Sequence, residues 1–174
     1  LFRDLVVENS VYPTENRNSA EVAWSGIGQS RVVATPLHMC MVASAIANEG
    51  VMMEPRLLLG VTGPTGIQRQ GFTAKEYRTA CEPQYAARIE SFMKDVVARG
   101  TGRSAAVEGL SIAGKTGSAE SSLNNNKVTH AWFVGYIDEP EYPYAVCVFV
   151  ENGGTGGAVA APLAKQIFTW LTEK

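Results

Sequence analysis

The first long hydrophobic segment of the chain, Leu37–Ala47, is apolar on almost every side and carries the flanking residues of a helix. Thr35 stands where an N-cap is expected, Pro36 follows at the first helical position, and Asn48–Gly50 form a typical stop. A helix without a polar face is stable only when neighbouring elements cover it on every side. The pattern therefore predicts a helix buried on all sides in the middle of a larger fold.

Two further segments have the spacing of amphipathic helices. Pro83–Arg99 ends at Gly100, and its apolar residues recur at helical intervals. These residues are Tyr85, Ile89, Phe92, Met93, Val96 and Val97. The second segment, Ala161–Glu173, begins with Pro162 near its start and closes the chain.

The segments between these helices read as strands, because they are rich in β-branched, aromatic and small residues. They are Ser111–Ala119, Ala131–Ile137 and Tyr144–Glu151. Asp138–Pro143 suits a loop between antiparallel neighbours, and Gly153–Gly157 is a flexible glycine loop. The back half of the chain is thus predicted to be an antiparallel sheet covered by the C-terminal helix.

The remaining stretches are less regular. Residues 1–30 contain Pro13, Gly26 and Gly28 as breakers and are predicted to be mostly loop. Residues 51–61 favour short extended segments, residues 60–71 are rich in turn formers, and residues 102–109 form a loop.

Composition narrows the functional classes. The chain has 174 residues, of which 45% are hydrophobic, so it forms a real core and is not a disordered tail. Its net charge of −2 is spread without a basic block, which gives a nucleic-acid or anionic-membrane partner no electrostatic support. The longest apolar runs are far shorter than the roughly 20 residues that span a bilayer. Because the chain starts with Leu1 and shows no signal peptide, we expect a fragment whose targeting information lay upstream.

The cysteines indicate neither a metal site nor a disulfide framework. Cys40, Cys81 and Cys147 form no CxxC pair and no Cys/His cluster. Cys40 and Cys147 lie in apolar segments, where cysteine behaves as a small hydrophobe. No cofactor is expected.

The string Gly109–Thr116 satisfies the G-x-x-x-x-G-K-[ST] pattern of a phosphate-binding P-loop. In that structure backbone N–H groups hold the phosphates, Lys115 reaches the terminal ones, and Thr116 ligates magnesium. A buried strand must run into the first glycine, and a helix must start at the lysine. Residues 102–108 are polar and residues 117–126 are rich in Gly, Ser and Asn, so neither condition is met.

A second interpretation uses only Lys115, Thr116 and Gly117, as a K-T-G triplet on a strand. An edge strand presents a cation, a hydroxyl and main-chain N–H groups along one margin, and Gly117 leaves room for an approaching backbone. This arrangement suits an extended peptide carboxylate that binds by strand addition. Three residues are a weak motif, and an ordinary glycine-containing edge strand would look the same.

The surroundings of the triplet strengthen the second interpretation. Gly28–Met39 and Ile46–Gly50 resemble the "GQ…TPLQ…IANGG" helix of class B penicillin-binding proteins. Four later blocks resemble the blocks that follow in that family, in the same order: Gly114–Glu120, Ala131–Tyr136, Val148–Asn152 and Gly157–Pro162. The resemblance extends from about Gly26 to the C-terminus.

The resemblance implies a peptidoglycan D,D-transpeptidase of the serine type. In that chemistry a serine of an S-x-x-K motif attacks the D-Ala-D-Ala carbonyl of a stem peptide, and a second strand's amine resolves the acyl-enzyme. β-Lactams mimic the dipeptide and trap the serine. Lys115 would supply positive charge near the substrate carboxylate, the Thr116 hydroxyl would bind that carboxylate, Gly117 would keep the edge open, and the Ser118 main-chain N–H would be an oxyanion donor.

Two positions depart from the family pattern. Ser118 stands where threonine is more frequent, which matters little because the proposed donor is main chain. His38 replaces glutamine, and we expect it to serve the core or the helix surface and not catalysis.

The nucleophilic serine is expected to be absent. Ser91–Lys94 and Ser122–Asn124 match S-x-x-K and S-x-N as strings, but the family places both motifs before the "GQ…TPL" helix. Ser91 lies in a helix beside Phe92 and Met93, which we expect to pack in the core, and Ser122 follows the K-T-G in a polar loop. Residues 1–174 are therefore interpreted as the C-terminal portion of one transpeptidase domain that is inactive in isolation.

The implied fold is α+β, of the β-lactamase/transpeptidase-like type, and partial: the last three strands of an antiparallel sheet packed with helices. The implied partners are stem peptides, β-lactams and the missing N-terminal part of the same domain. The parent would be membrane-anchored and extracytoplasmic, with its anchor outside this chain. The strand Tyr144–Val150 would have an unpaired edge, which favours an edge-strand dimer. A β-lactam-sensing receptor domain is the alternative from another class.

Overall fold

The computed structural model of the chain describes residues 6–15, 18–123 and 126–173. The helices are α1 Ser19–Ser25, α2 Pro36–Ala47, α3 Pro83–Arg99 and α4 Ala161–Thr172, with a 3₁₀ turn at Arg103–Ala105 and a π-helical turn at Gly156–Ala160. The strands are β1 Val51–Met53, β2 Gly60–Thr62, β3 Gln68–Gly71, β4 Glu76–Thr79, β5 Ile112–Leu123, β6 Asn126–Ile137 and β7 Ala145–Val150. The predicted α+β class is confirmed.

The central feature is a three-stranded antiparallel sheet in the order β5-β6-β7. β5 and β6 are both longer than the predicted segments, and they pair from Ile112 with Ile137 to Leu123 with Asn126. The extra length is polar and lacks an apolar alternation, so the hydrophobic pattern did not reveal it. β7 has β6 on one side, and the described residues supply no strand on its other side.

The two faces of the sheet have separate cores, because successive residues of a strand point to opposite sides. On one face, Phe133 of β6 packs edge-on against Phe168 of α4, with ring centroids 6.4 Å apart. On the other face, Val134 and Tyr136 pack with residues of α2 and α3: Ala43, Ile46 and Met93. The sheet is therefore a middle layer between α4 and the α2–α3 pair.

α2 forms as predicted, but it is not covered on all sides. The Thr35 side chain accepts a hydrogen bond from the His38 N–H at 3.2 Å, and Pro36 occupies the first turn. Ala43 and Ala45 are buried, whereas Val42 keeps 38% of its surface exposed. The prediction of complete burial is wrong for the described residues, because the sheet, α3 and β1 leave the side that carries Val42 partly uncovered.

The predicted bounds of α3 are confirmed, but the prediction of which of its residues are buried is partly wrong. The buried residues are Ala86, Met93 and Val97, which lie along one side of the helix and face the sheet. Phe92 is 55% exposed, so the prediction that it packs in the core is wrong. Tyr85 and Ile89 are exposed with it, since they form a neighbouring stripe that points away from the sheet.

The described residues 6–15 and 18–30 are mostly loop, as predicted, but they also contain the short helix α1, which the prediction did not include. Its start is a capping box: Asn18 Oδ1 accepts from the Glu21 N–H at 2.9 Å, and Glu21 Oε2 accepts from the Asn18 N–H at 3.0 Å. This motif needs only two side chains and was visible in the sequence. The segment 51–71 contains β1, β2 and β3: β2 pairs antiparallel with β3, and β1 pairs antiparallel with β4, which follows at Glu76–Thr79.

The cysteine thiols are free, and two of them lie between α2 and β7. Burial raises the pKa of the Cys40 thiol above its usual value. Burial, with the neighbouring Cys40, raises the pKa of Cys147 to about 12. Both groups therefore stay protonated near neutral pH, in agreement with the prediction that they act as small hydrophobes.

Candidate functional site

Lys115–Ser118 lie in an uninterrupted stretch of β5. Lys115 is paired with Val134, Thr116 with Phe133 and Gly117 with Trp132 on β6. The chain continues as strand beyond Thr116, so no helix begins at the lysine. The P-loop interpretation is therefore wrong, because a phosphate would meet a pleated strand and not the N-terminus of a helix.

Within the described part of the chain, β5 pairs with a strand on one side only, so its outer margin is available to another extended chain. The alternation of the pleat sends the Lys115 side chain to the face that α2 covers, and at Gly117 the same face carries no side chain. It sends Thr116 and Ser118 to the opposite face, toward α4. The margin therefore lies between a cationic face and a hydroxyl face.

A cleft of about 350 Å³ lies on the lysine face, between β5 and the loop that joins α1 to α2. Its lining combines apolar side chains with polar groups of the β5 margin. The lining residues are Ile27, Gly28, Gln29, Val32, Ala34, Met39, Lys115, Thr116, Gly117, Ser118, Ala119, Trp132 and Val134. An apolar cleft with a few convergent polar groups is the usual form of a ligand site.

The main chain of β5 offers acceptors and donors at this margin. The Lys115 ammonium donates to the Thr116 carbonyl, and Gln29 Nε2 donates to the Ser118 carbonyl at 3.3 Å. Both carbonyls therefore point outward, away from β6. In an antiparallel pair the N–H and C=O of one residue point to the same side, so the Ser118 N–H also faces the cleft margin.

Two hydrogen bonds support the hydroxyl face. Thr116 is 8% exposed, and its Oγ1 lies 2.7 Å from Oγ1 of Thr101, just beyond the end of α3. The Ser118 hydroxyl accepts from the Gly156 N–H at 3.2 Å. Sequence reasoning placed Gly156 in a glycine loop, gave Thr101 no assignment, and missed both contacts. Only the Gly100–Gly102 spacing around Thr101 hinted at a tight turn there.

Lys115 is the cationic side chain of the β5 margin. Among the described residues, no carboxylate lies within ion-pair distance of its ammonium. A cation that is held at a cleft rim without an acidic partner attracts an anionic ligand. The arrangement thus favours a ligand with a carboxylate and an extended backbone.

The other sequence candidates do not join this site. Ser91 is exposed on α3, and Lys94 is bound to Glu90 at 2.7 Å and to Asp138. These carboxylates, with Asp138 the stronger, raise the pKa of Lys94, which fits a structural ion pair. Neither Ser91 nor Lys94 lines the cleft.

The second nominal motif and His38 are also separate from the cleft. Ser122 belongs to β5, so its expected place in a polar loop is wrong, and Asn124 lies outside the described residues. His38 lies on the exposed side of α2, beside a different cavity of about 200 Å³. This agrees with the expectation that His38 serves the helix surface.

Comparison with known proteins identifies the architecture around this cleft. Residues 3–169 match the family described as penicillin binding protein transpeptidase domain. The chain is 36% identical over 154 residues to the peptidoglycan D,D-transpeptidase PbpA of Mycolicibacterium smegmatis, covering 85% of this chain and 31% of that protein. It is 35% identical over 170 residues to PbpA of Mycobacterium tuberculosis, covering 93% of this chain and 34% of that protein.

A solved structure shows the same likeness in three dimensions. The ceftriaxone acyl-enzyme complex of penicillin-binding protein A from M. tuberculosis superposes with a TM-score of 0.87 at 32% identity, covering 98% of this chain and 39% of that one. The chain thus spans about a third of the length of the curated relatives that it matches. None of the described helices is long and apolar enough to cross a membrane.

Proposed function

Because the chain belongs to the penicillin-binding protein transpeptidase domain family, we propose that residues 1–174 form the C-terminal portion of a peptidoglycan D,D-transpeptidase domain. The parent protein cross-links stem peptides through a serine acyl-enzyme, and β-lactams acylate the same serine. That serine and its S-x-x-K and S-x-N partners lie outside these residues. The relatives' names, peptidoglycan D,D-transpeptidase, support this activity over a β-lactam-sensing receptor.

The observation that carries the proposal is the Lys115–Ser118 segment on the outer margin of β5, facing a cleft. Lys115 attracts the carboxylate of the D-Ala-D-Ala end, and the Thr116 hydroxyl donates to it. Gly117 leaves the margin open, since a Cβ there would enter the cleft beside Trp132, 3.2 Å from its Cβ. The substrate then extends the sheet as an added strand.

The Ser118 main-chain N–H is the oxyanion donor of this site. It points to the same margin as its carbonyl, where the scissile carbonyl of an added strand would lie. A main-chain donor on a fixed strand needs no reorganisation when negative charge develops on the carbonyl oxygen. Removal of one such donor typically lowers the rate about 100- to 1,000-fold.

The test measures acylation of the complete parent protein by a fluorescent penicillin. Lys115→Met keeps the length of the side chain and removes its charge. A hydrogen bond to a charged group contributes about 1.5–3 kcal/mol, so the second-order acylation constant should fall about 10- to 100-fold. Lys165→Met, on the exposed side of α4, is the matched control and should acylate like the wild type. Equal acylation of both variants would exclude the proposed role of Lys115.

The isolated chain is proposed to be inactive, because it lacks the nucleophile. Intact-mass spectrometry after incubation with a β-lactam should show the unmodified mass. A covalent adduct that disappears in Ser91→Ala would contradict this, since it would make Ser91 a nucleophile.

Two further proposals concern the surroundings of the parent protein. Its substrate is the cell wall, so we place it outside the cytoplasm, with an anchor outside these residues. The free margin of β7 is proposed to pair with the missing part of the domain, and in the isolated chain with a second copy. Light scattering at high concentration that gives only a monomer mass would count against this dimer.

A further inference from the structure

We infer that Thr101 is a positioning residue for the substrate carboxylate, acting through the hydroxyl of Thr116. The inference rests on the proposed function and adds a residue that lies outside the K-T-G segment. Thr101 Oγ1 and Thr116 Oγ1 are 2.7 Å apart, which is the usual length of a strong hydroxyl–hydroxyl hydrogen bond.

The number of protons in this pair determines what it can offer. Each threonine hydroxyl has one proton and two lone pairs. The bond between the two oxygens uses one proton, and the described residues provide no other hydrogen-bond partner for either hydroxyl. When Thr101 donates to Thr116, the Thr116 proton is left to donate outward. A carboxylate at the β5 margin selects this direction, because it accepts hydrogen bonds and donates none.

A chain of two hydroxyls is a better donor than one alone. Thr116 is 8% exposed, and the Thr101 hydroxyl is the partner that the described residues supply for its Oγ1. A hydroxyl that accepts one hydrogen bond is polarised and donates a stronger one. Thr101 therefore fixes the χ1 rotation of Thr116 and strengthens its bond to the ligand.

The backbone around Thr101 is held in place firmly enough for this role. The N–H groups of Gly100 and Gly102 both donate to the Val96 carbonyl, at 3.1 and 3.0 Å. A Cβ on Gly100 would lie 2.8 Å from the Val96 Cα, and one on Gly157 would lie 2.7 Å from the Thr101 carbonyl oxygen. The turn after α3 is thus packed closely on both sides, and it presents the Thr101 hydroxyl to β5.

The test compares Thr101→Val with the wild type in acylation of the complete parent protein. Valine keeps the shape of threonine and removes the hydroxyl. The substitution removes one neutral hydrogen bond, so acylation by penicillin should slow about 2- to 12-fold. Thr101→Ser restores the hydroxyl and should recover the wild-type rate to within about twofold.

A second ligand separates positioning from a merely structural effect. The methyl ester of the same penicillin has no carboxylate. With this ester, Thr101→Val and the wild type should therefore be acylated at the same rate. Thr116→Val and the double variant complete the cycle, and the two substitutions should be non-additive because they remove one shared path. Equal slowing with acid and ester, or additive effects, would overturn the inference.

The same measurements distinguish this failure from failure of the proposed function. Suppose that penicillin acylates Thr116→Val as fast as the wild type, and that the ester acylates the wild type as fast as penicillin does. The carboxylate is then not bound at the K-T-G margin, and the proposed site is wrong. If Thr116→Val and the ester slow acylation while Thr101→Val does not, only the role of Thr101 is wrong.

Discussion

Replacement of Gly156 by alanine places a methyl group where main-chain atoms of two strands already lie. The added Cβ would be 2.3 Å from the Trp132 carbonyl oxygen and 2.4 Å from that of Gly117. Neither atom is a flexible side-chain end, so the loop before α4 or the β5–β6 pair must move. The movement also weakens the Gly156 N–H bond to the Ser118 hydroxyl.

The expected loss of folding stability follows from the steric overlap and from the weakened hydrogen bond. Overpacking costs about 1–3 kcal/mol, and the weakened hydrogen bond costs about 1 kcal/mol. We therefore expect Gly156→Ala to lower the free energy of unfolding by about 3 kcal/mol, a large fraction of the roughly 5–15 kcal/mol that stabilises a typical domain. For a chain of this length the melting temperature should fall by roughly 6–12 °C.

Urea denaturation of the isolated chain measures this cost, and amide chemical shifts of Gly117 and Ser118 report movement of β5. The matched control is Gly154→Asn in the same loop. No atom lies within 4 Å of a Cβ at Gly154, and asparagine tolerates its φ of +83°. The control should lose no more than about 1 kcal/mol. A Gly156→Ala variant as stable as the control, with unshifted amides, would refute the close-packing argument.

Three other predictions concern the core and its titrating groups. Burial, reinforced by the Glu90 carboxylate, raises the pKa of Tyr136 in the folded chain. Unfolded tyrosine ionises near pH 10, so the neutral hydroxyl stabilises the fold fully below about pH 10, and this stabilisation is lost as the pH rises further. Tyr136→Phe removes the hydroxyl that donates to Glu90 Oε2 at 3.3 Å and should cost about 1 kcal/mol at pH 7. Above pH 10 the wild type should lose about 1.4 kcal/mol per pH unit relative to this variant in urea titrations, and a constant difference would contradict this. The Cys147 thiol, with its pKa at about 12, should react with iodoacetamide at pH 8 far more slowly in the folded chain than in urea, as followed by peptide mass spectrometry; equal rates would be inconsistent with its burial. Phe168→Ala should destabilise the fold by about 3–5 kcal/mol in urea, whereas Ile167→Ala, at a side chain that is 38% exposed, should cost much less; similar costs would show that α4 packs differently.

The sequence by itself determined the elements whose patterns are local. The Thr35 cap and Pro36 start α2, and the β-branched and aromatic content of β6 and β7 favours strands. The K-T-G triplet was placed on a strand, because its flanking residues suit neither the strand nor the helix of a P-loop. Those inferences need only the chemistry of neighbouring residues.

Only the tertiary structure decided which apolar residues are covered and which groups meet at the margin of β5. The sequence pattern predicts both Phe92 and Met93 to be buried, yet only Met93 faces the sheet. Thr101 reaches Thr116 and Gly156 reaches Ser118 across 15 and 38 residues, respectively. Such contacts depend on where the ends of α3 and β7 arrive in space. No local propensity encodes that position, because it results from packing all layers around one sheet.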